Sequence, residues 1–277
     1  MKLSIIKYAG AALMVLALAG CEKKLLESNR VYVFPGNNEV GLKFVHAFAG
    51  KAPALTAGAG PGLFMYLGSQ KLNGNVLTWT SNGGFWPATS SATTNTRSLY
   101  SIVPAGQATL YGVLGRVAAG IPAPAAGDTI FTRNQNWEAG KFYTVFFTDT
   151  MPTPGTLVVE DDMSPIPEGR FRLRFGNLMA WPGDVQQVFS TRETRVIFDN
   201  GGYKQVSNFI DLPVPSRADT LVITKKSGPS PMPYTINING FTGQSRRGYT
   251  IITKGKNLST TTSATFQNFM GSIITVY

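Results

Sequence analysis

The chain has a single cysteine, Cys21, and a single histidine, His46, in 277 residues. One thiol excludes an intrachain disulfide framework and a cysteine-built zinc site. One histidine leaves a Ser-His-Asp triad nothing to build on but His46, which ends a strand pattern and reads as a hydrogen-bonded structural group. Charged residues are scarce at 14%. After the leader, no segment keeps apolar residues at helical spacing for three turns, which argues against a helical bundle. No apolar run reaches the ~20 residues that a membrane-crossing helix needs. There is no G-x-S-x-G; "GQSRR" (243–247) is the nearest and lacks the final glycine. "GAGPG" (58–62) is followed by neither a helix pattern nor Lys-Ser/Thr, so a phosphate loop is not expected.

What is present begins at the N-terminus. Lys2 and Lys7 precede an apolar run from Tyr8 to Ala19, the length of a secretory signal peptide's apolar region. Leu18-Ala19-Gly20-Cys21 resembles the bacterial lipobox, in which the cysteine is acylated on sulfur and then becomes the acylated N-terminus. The expectation is a signal peptide over 1–20, a tether over 21–40 and lipid attachment at Cys21 by palmitate-class chains. One acyl chain anchors marginally at ~0.8 kcal/mol per buried CH₂, whereas two or three hold firmly. The partner implied is membrane lipid and the location an outer membrane, on its periplasmic or cell-surface face.

Glycine (30) and proline (17) are frequent, which fits many short strands joined by turns. Strand patterns recur at 42–47, 63–68, 99–103, 108–114, 141–148 and 156–160, with "VYVF" (31–34) as a short candidate. Residues 80–98 and 116–128 read as long surface loops. "EDDMSPIPEG" (160–169) reads as a linker, solvated or, alternatively, calcium-binding through Glu160, Asp161 and Asp162. "RFRLRF" then alternates strictly, with Arg170, Arg172 and Arg174 on one face; solvent exposure or an anion clamp explains that face. "TRVIFD" (194–199) and "YKQVSNFI" (203–210) flank Asn200-Gly201-Gly202, a hairpin signal. Further strands are expected at 219–224, 234–238, 248–253 and 272–277.

The net charge of +10 is uneven: residues 166–277 hold thirteen Lys/Arg against six Asp/Glu. That half suits an acidic surface or an unengaged one; nucleic acid is not expected for an exported chain.

The halves read as two copies of one unit. "LKFVHA" aligns with "LRFGNL" (173–178), setting His46 against Asn177. "GKFYTVFFTD" (140–149) aligns with "RGYTIITKG" (247–255), setting Tyr143 against Tyr249. The fold expected is all-β, two tandem immunoglobulin-like antiparallel β-sandwich domains over 41–163 and 168–277. The opening "LKFVHA", "LFMYLG", "VPAGQATL" (103–110) and "AGKFYTV" (139–145) together resemble the bacterial DUF4397 domains. The resemblance implies extracytoplasmic β-sandwiches, often in tandem copies on lipoproteins, with no general activity. Members usually carry an acidic patch after the histidine, where this chain has "AFAGKAP" (47–53).

The function expected is a lipid-anchored, non-enzymatic envelope module that binds a glycan or another envelope protein. Trp79, Trp86 and Trp137 are the candidate ligand contacts, since aromatic faces on loops stack on sugar rings, though tryptophan also packs cores. No cofactor, metal or catalytic residue is assigned. The alternative is a fimbrial or surface-assembly subunit polymerising by strand donation from "GSIITVY" (271–277). A hydrolase using Asp161 or Asp162 with Glu160 is the weakest reading. Asp128-Thr129-Ile130, Asp149-Thr150-Met151 and Asp219-Thr220-Leu221 resemble a bacterial O-glycosylation pattern.

Overall fold

The alternating strand sequences close two sandwiches that share a third, inner interface. The computed structural model describes residues 35–47, 62–73, 77–78, 85–86, 100–116, 127–149, 154–179, 183–228, 235–256 and 267–275. The leader, the tether through "VYVF", Cys21, Trp79 and Trp181 lie outside the described residues. Regular structure among the described residues is entirely β, without a helix.

The first half contains β1 (Glu39–His46), β2 (Gly62–Leu67), β3 (Gln70–Lys71), β4 (Leu77–Thr78), β5 (Phe85–Trp86), β6 (Ser101–Pro104), β7 (Gly106–Arg116), β8 (Thr129–Trp137), β9 (Phe142–Thr148) and β10 (Gly155–Glu160). One sheet runs β10-β9-β1-β5, with β6 also on β1; the other runs β3-β2-β7-β8, with β4 on β2. Leu42, Phe44, Tyr143, Val145 and Phe147 from the first sheet meet Leu63, Met65, Leu110, Leu114 and Trp137 from the second in one core.

The second half contains β11 (Arg170–Met179), β12 (Val185–Ser190), β13 (Arg195–Gly202), β14 (Gln205–Val206), β15 (Ile210–Pro213), β16 (Asp219–Ser227), β17 (Thr235–Phe241), β18 (Gly248–Lys256) and β19 (Gln267–Thr275). Its sheets run β14-β11-β18-β19, with β15 on β11, and β13-β12-β16-β17. Phe171, Leu173, Phe175, Tyr249 and Ile251 pack onto Val188, Phe198, Leu221 and Ile223.

The second half repeats the strand order of the first. Each half is antiparallel apart from one pair: β1 runs parallel to β9, and β11 to β18. Register repeats as well, with Leu42 opposite Tyr143 and Leu173 opposite Tyr249. Lys43 therefore occupies the place of Arg174, and His46 that of Asn177.

Two local expectations are corrected, and two strands come without a sequence signal. Phe85-Trp86 interrupts the loop expected over 80–98, because its backbone pairs with Val45 and Phe44. The hairpin turn expected at Asn200-Gly201-Gly202 falls instead at Tyr203-Lys204: Gly201 stays in the ladder opposite Gln186, and Lys204 takes φ 58°. "TIFTRNQNW" and "VQQVFS" form β8 and β12; their many polar residues mask the strand pattern, and β12 alternates half-buried with buried side chains.

Between the sandwiches, the outer faces of the β1 and β11 sheets pack against each other. Val45, Ala47 and Phe146 meet Leu178 and Ile252, with Leu157, Val159 and Val206 at the margin. Pro35–Tyr277 thus pack as one compact unit.

Candidate functional site

Strict alternation on "RFRLRF" sends Arg172 and Arg174 to one face of β11, where the acidic segment 160–164 folds against them. The solvent-facing expectation fails there: Arg174 is 2% exposed and Arg172 8%, and only Arg170 faces water. Burying a guanidinium is costly unless it is paired and hydrogen-bonded. The acidic linker supplies the partners. Arg174 pairs with Asp161, donates from Nε to Thr250 Oγ1 at 2.9 Å and donates to the Glu160 carbonyl at 3.2 Å. Asp161 also accepts from Thr144 Oγ1 at 2.6 Å and the Tyr100 hydroxyl at 2.7 Å. Arg172 bridges Asp162 at 3.0 Å and Asp211 at 2.8 Å. The linker carboxylates are therefore tied to arginines of the second half, and Asp161 is buried rather than solvated.

Lys43, the counterpart of Arg174, lies in the same layer with its Nζ 3.9 Å from the centre of the Tyr100 ring. Burial lowers its pKa to about 7, against the attraction of Asp161 and with the help of Arg174. Burial, then the nearby Asp161 charge, pushes the Tyr100 phenol well up.

Beside this cluster the interface opens into a groove of about 450 Å³. Leu157 and Val159 of β10 line it from the first half, and Phe175, Phe198 and Val206 line it from the second. Asp199, Lys204, Gln205 and Ser207 supply its polar groups. The β13–β14 turn is fastened to the first half at one end of this groove. Tyr203 donates its hydroxyl to Asp149, and Lys204 pairs with the same carboxylate at 2.6 Å. Asp149 and Lys204 both hold positive φ, 67° and 58°. Its volume falls in the range of small-ligand sites, roughly 300–1,000 Å³, and such sites favour interfaces between packed units.

The expected ligand contacts fare differently. Trp137 is fully buried against Tyr143 in the first core, leaving no face for a sugar ring. Trp86 contributes backbone pairing with Phe44; its side chain and the whole of Trp79 lie outside the described residues. No sequence signal marked the groove, because its walls come from β10, β11 and the β13–β14 turn. Among the described residues, no group of three or more His, Cys, Asp or Glu could hold a metal. Of the three Asp-Thr-apolar sites, Asp219 is committed to the β12–β13 turn, accepting from Ser190 Oγ at 2.5 Å and Arg192 N at 2.9 Å.

Residues 87–187 match the family model of DUF4397, a domain of unknown function. The matched stretch includes "VPAGQATL", "AGKFYTV" and the linker carboxylates with their arginines, and runs from the first half into β12. No curated protein matches the chain. Among solved structures, it is similar to a candidate cell adhesion protein from Parabacteroides distasonis, at 10% identity and a TM-score of 0.23, over 86% of this chain and 98% of that one. It is similar to the tip fimbrial protein Mfa3 from Porphyromonas gingivalis, with C-terminal truncation, at 10% identity and 0.22, over 86% and 99%. The Bacillus anthracis TIE protein gives 11% identity and 0.21, over 79% of this chain, which spans 34% of that protein's length. Superpositions with TM-scores this low establish no common function or fold.

Proposed function

We propose that the chain is a non-enzymatic module of the bacterial cell envelope. In this reading acylated Cys21 holds it on the outer membrane, and its two β-sandwiches are copies of one domain that bind another envelope protein or a glycan. The observation that carries the reading is the open, largely apolar groove at the junction of the halves, lined from both. The carboxylates a hydrolase would need support it too. Glu160 is paired with Lys141, Asp161 with Arg174 and Asp162 with Arg172, which suits a structural role better than proton transfer.

Membrane fractionation and ligand screening test the two parts separately. The native protein is expected in the membrane fraction and Cys21→Ser in the soluble one; a soluble native protein would sink the anchor. Immobilised full-length protein, screened against envelope glycans and extracted envelope proteins, is expected to retain a ligand that Leu157→Lys releases. Turnover of a glycan substrate that the exposed Glu160→Gln abolishes in a folded protein would replace the binding reading with the hydrolase.

Strand donation is the second reading, favoured by one observation. β19 lies at the margin of its sheet, paired with β18. Deleting residues 267–277 is expected to block polymers if β19 is exchanged between copies, and only to destabilise a monomer otherwise.

A further inference from the structure

β10 is an edge strand. It pairs with β9 on one side, and no strand pairs with its other side among the described residues. The hydrogen bond from Asp161 N to Phe142 O at 2.8 Å fixes the alternation of the ladder. Residues 155, 157 and 159 then turn their backbone groups toward β9, and those of Thr156, Val158 and Glu160 face outward. Arg174 meets the Glu160 carbonyl on that outward side, as this alternation requires.

Exposed edges are ordinarily blunted by lysine, proline, a bulge or an inward-pointing charge. The interior of β10, Thr156-Leu157-Val158-Val159, has no charge or proline, and its pairing with β9 has no register shift. Leu157 and Val159 reach from this strand into the groove. The same two side chains, with Val206, border the buried interface between the halves, so the groove is the open continuation of that interface. An edge with outward backbone donors and acceptors beside an apolar trough is matched by one ligand chemistry, an extended peptide with alternating apolar side chains. A glycan can stack a ring face on an aromatic side chain, but it carries no regular row of amide donors and carbonyl acceptors to meet the β10 edge.

We propose that the outer edge of β10 accepts an extended apolar segment of a partner protein as an added strand, with its side chains seated between Leu157, Val159 and Phe198. This rests on the binding reading above and names its ligand class. The added strand extends the β1 sheet by one.

The test uses the full chain and a fluorescein-labelled synthetic heptapeptide, Thr-Val-Thr-Phe-Thr-Val-Thr. The second probe is the same peptide N-methylated at alternate residues, which removes edge donors without changing side chains. Fluorescence anisotropy is expected to show saturable binding of the first peptide and at least tenfold weaker binding of the second. Leu157→Lys is expected to weaken the first peptide at least tenfold, with an unchanged far-ultraviolet circular dichroism spectrum establishing that the variant is folded. Equal binding of both peptides, or no binding of either, overturns the proposal without needing any variant. Retention of a glycan that Leu157→Lys releases, with no binding of either peptide, also overturns it, while the broader binding-module reading survives.

Discussion

Arg174, on the opening strand of the second half, pairs with the Asp161 carboxylate that follows the last strand of the first, and both side chains are buried. Removing one partner leaves the other charged and buried, which costs about 3–5 kcal/mol. Asp161→Asn and Arg174→Met are each expected to lose that much in urea unfolding. The double variant Asp161→Asn/Arg174→Met is expected to be less destabilised than the sum of the singles, because no orphan charge of the pair remains. Simple additivity would mean that the pair does not join the halves energetically.

Lys43 makes the junction sensitive to pH. Burial brings its pKa down to about 7, with the Asp161 attraction opposing and Arg174 assisting, against 10.5 when exposed. A lysine depressed in the folded state must lose a proton on folding at any pH between those values. Below about pH 7 the amine is charged in both states and its burial cost is full. As pH rises from about 7 towards 10.5, that cost is relieved and stability increases. Lys254, lowered to about 7 by burial, acts in the same direction. Urea midpoints are expected to rise between pH 6.5 and pH 9, and Lys43→Met is expected to flatten the rise. An unchanged slope in that variant would place the titration elsewhere.

Period-two alternation made most strands legible, and the matching of "LKFVHA" with "LRFGNL" carried the register that puts Leu42 and Leu173 opposite Tyr143 and Tyr249. The fate of the arginine stripe was not legible. Alternation states that Arg172 and Arg174 share a face, but not that the acidic segment eight to fourteen residues earlier folds back onto it. The groove was hidden for the same reason, since Val159, Phe175 and Val206 meet only through tertiary packing. Trp137 misled in the opposite sense: a tryptophan beside a turn looks like a loop contact, yet β8 carries it into the core.

The contact between Tyr203 and Asp149 holds the β13–β14 turn at the end of the groove. Burial, followed by the hydrogen bond to Asp149, pushes the Tyr203 phenol far up, so it remains a donor throughout the working range. A hydrogen bond to a carboxylate in this half-buried setting is worth about 1.5 kcal/mol. The neighbouring Lys204 pair is more exposed and worth about 0–1 kcal/mol. Tyr203→Phe is therefore expected to destabilise more than Lys204→Met, and to speed amide exchange at Gln205 and Val206. The reverse order in urea unfolding would make the ion pair the principal fastening.

Trp137 separates core from contact. Its side chain is fully buried, in edge-to-face contact with Tyr143, and belongs to the cluster that includes Leu42 and Met65. Truncation removes one of the largest apolar surfaces in that core and leaves a cavity, so Trp137→Ala is expected to cost about 3–5 kcal/mol. Trp137→Phe keeps an aromatic ring and is expected to lose less. Ligand affinity, measured well below the unfolding midpoint, is expected to stay within twofold of the native value in Trp137→Phe. A tenfold loss of affinity with little loss of stability would return Trp137 to the binding surface, against the burial of its ring in the first sandwich.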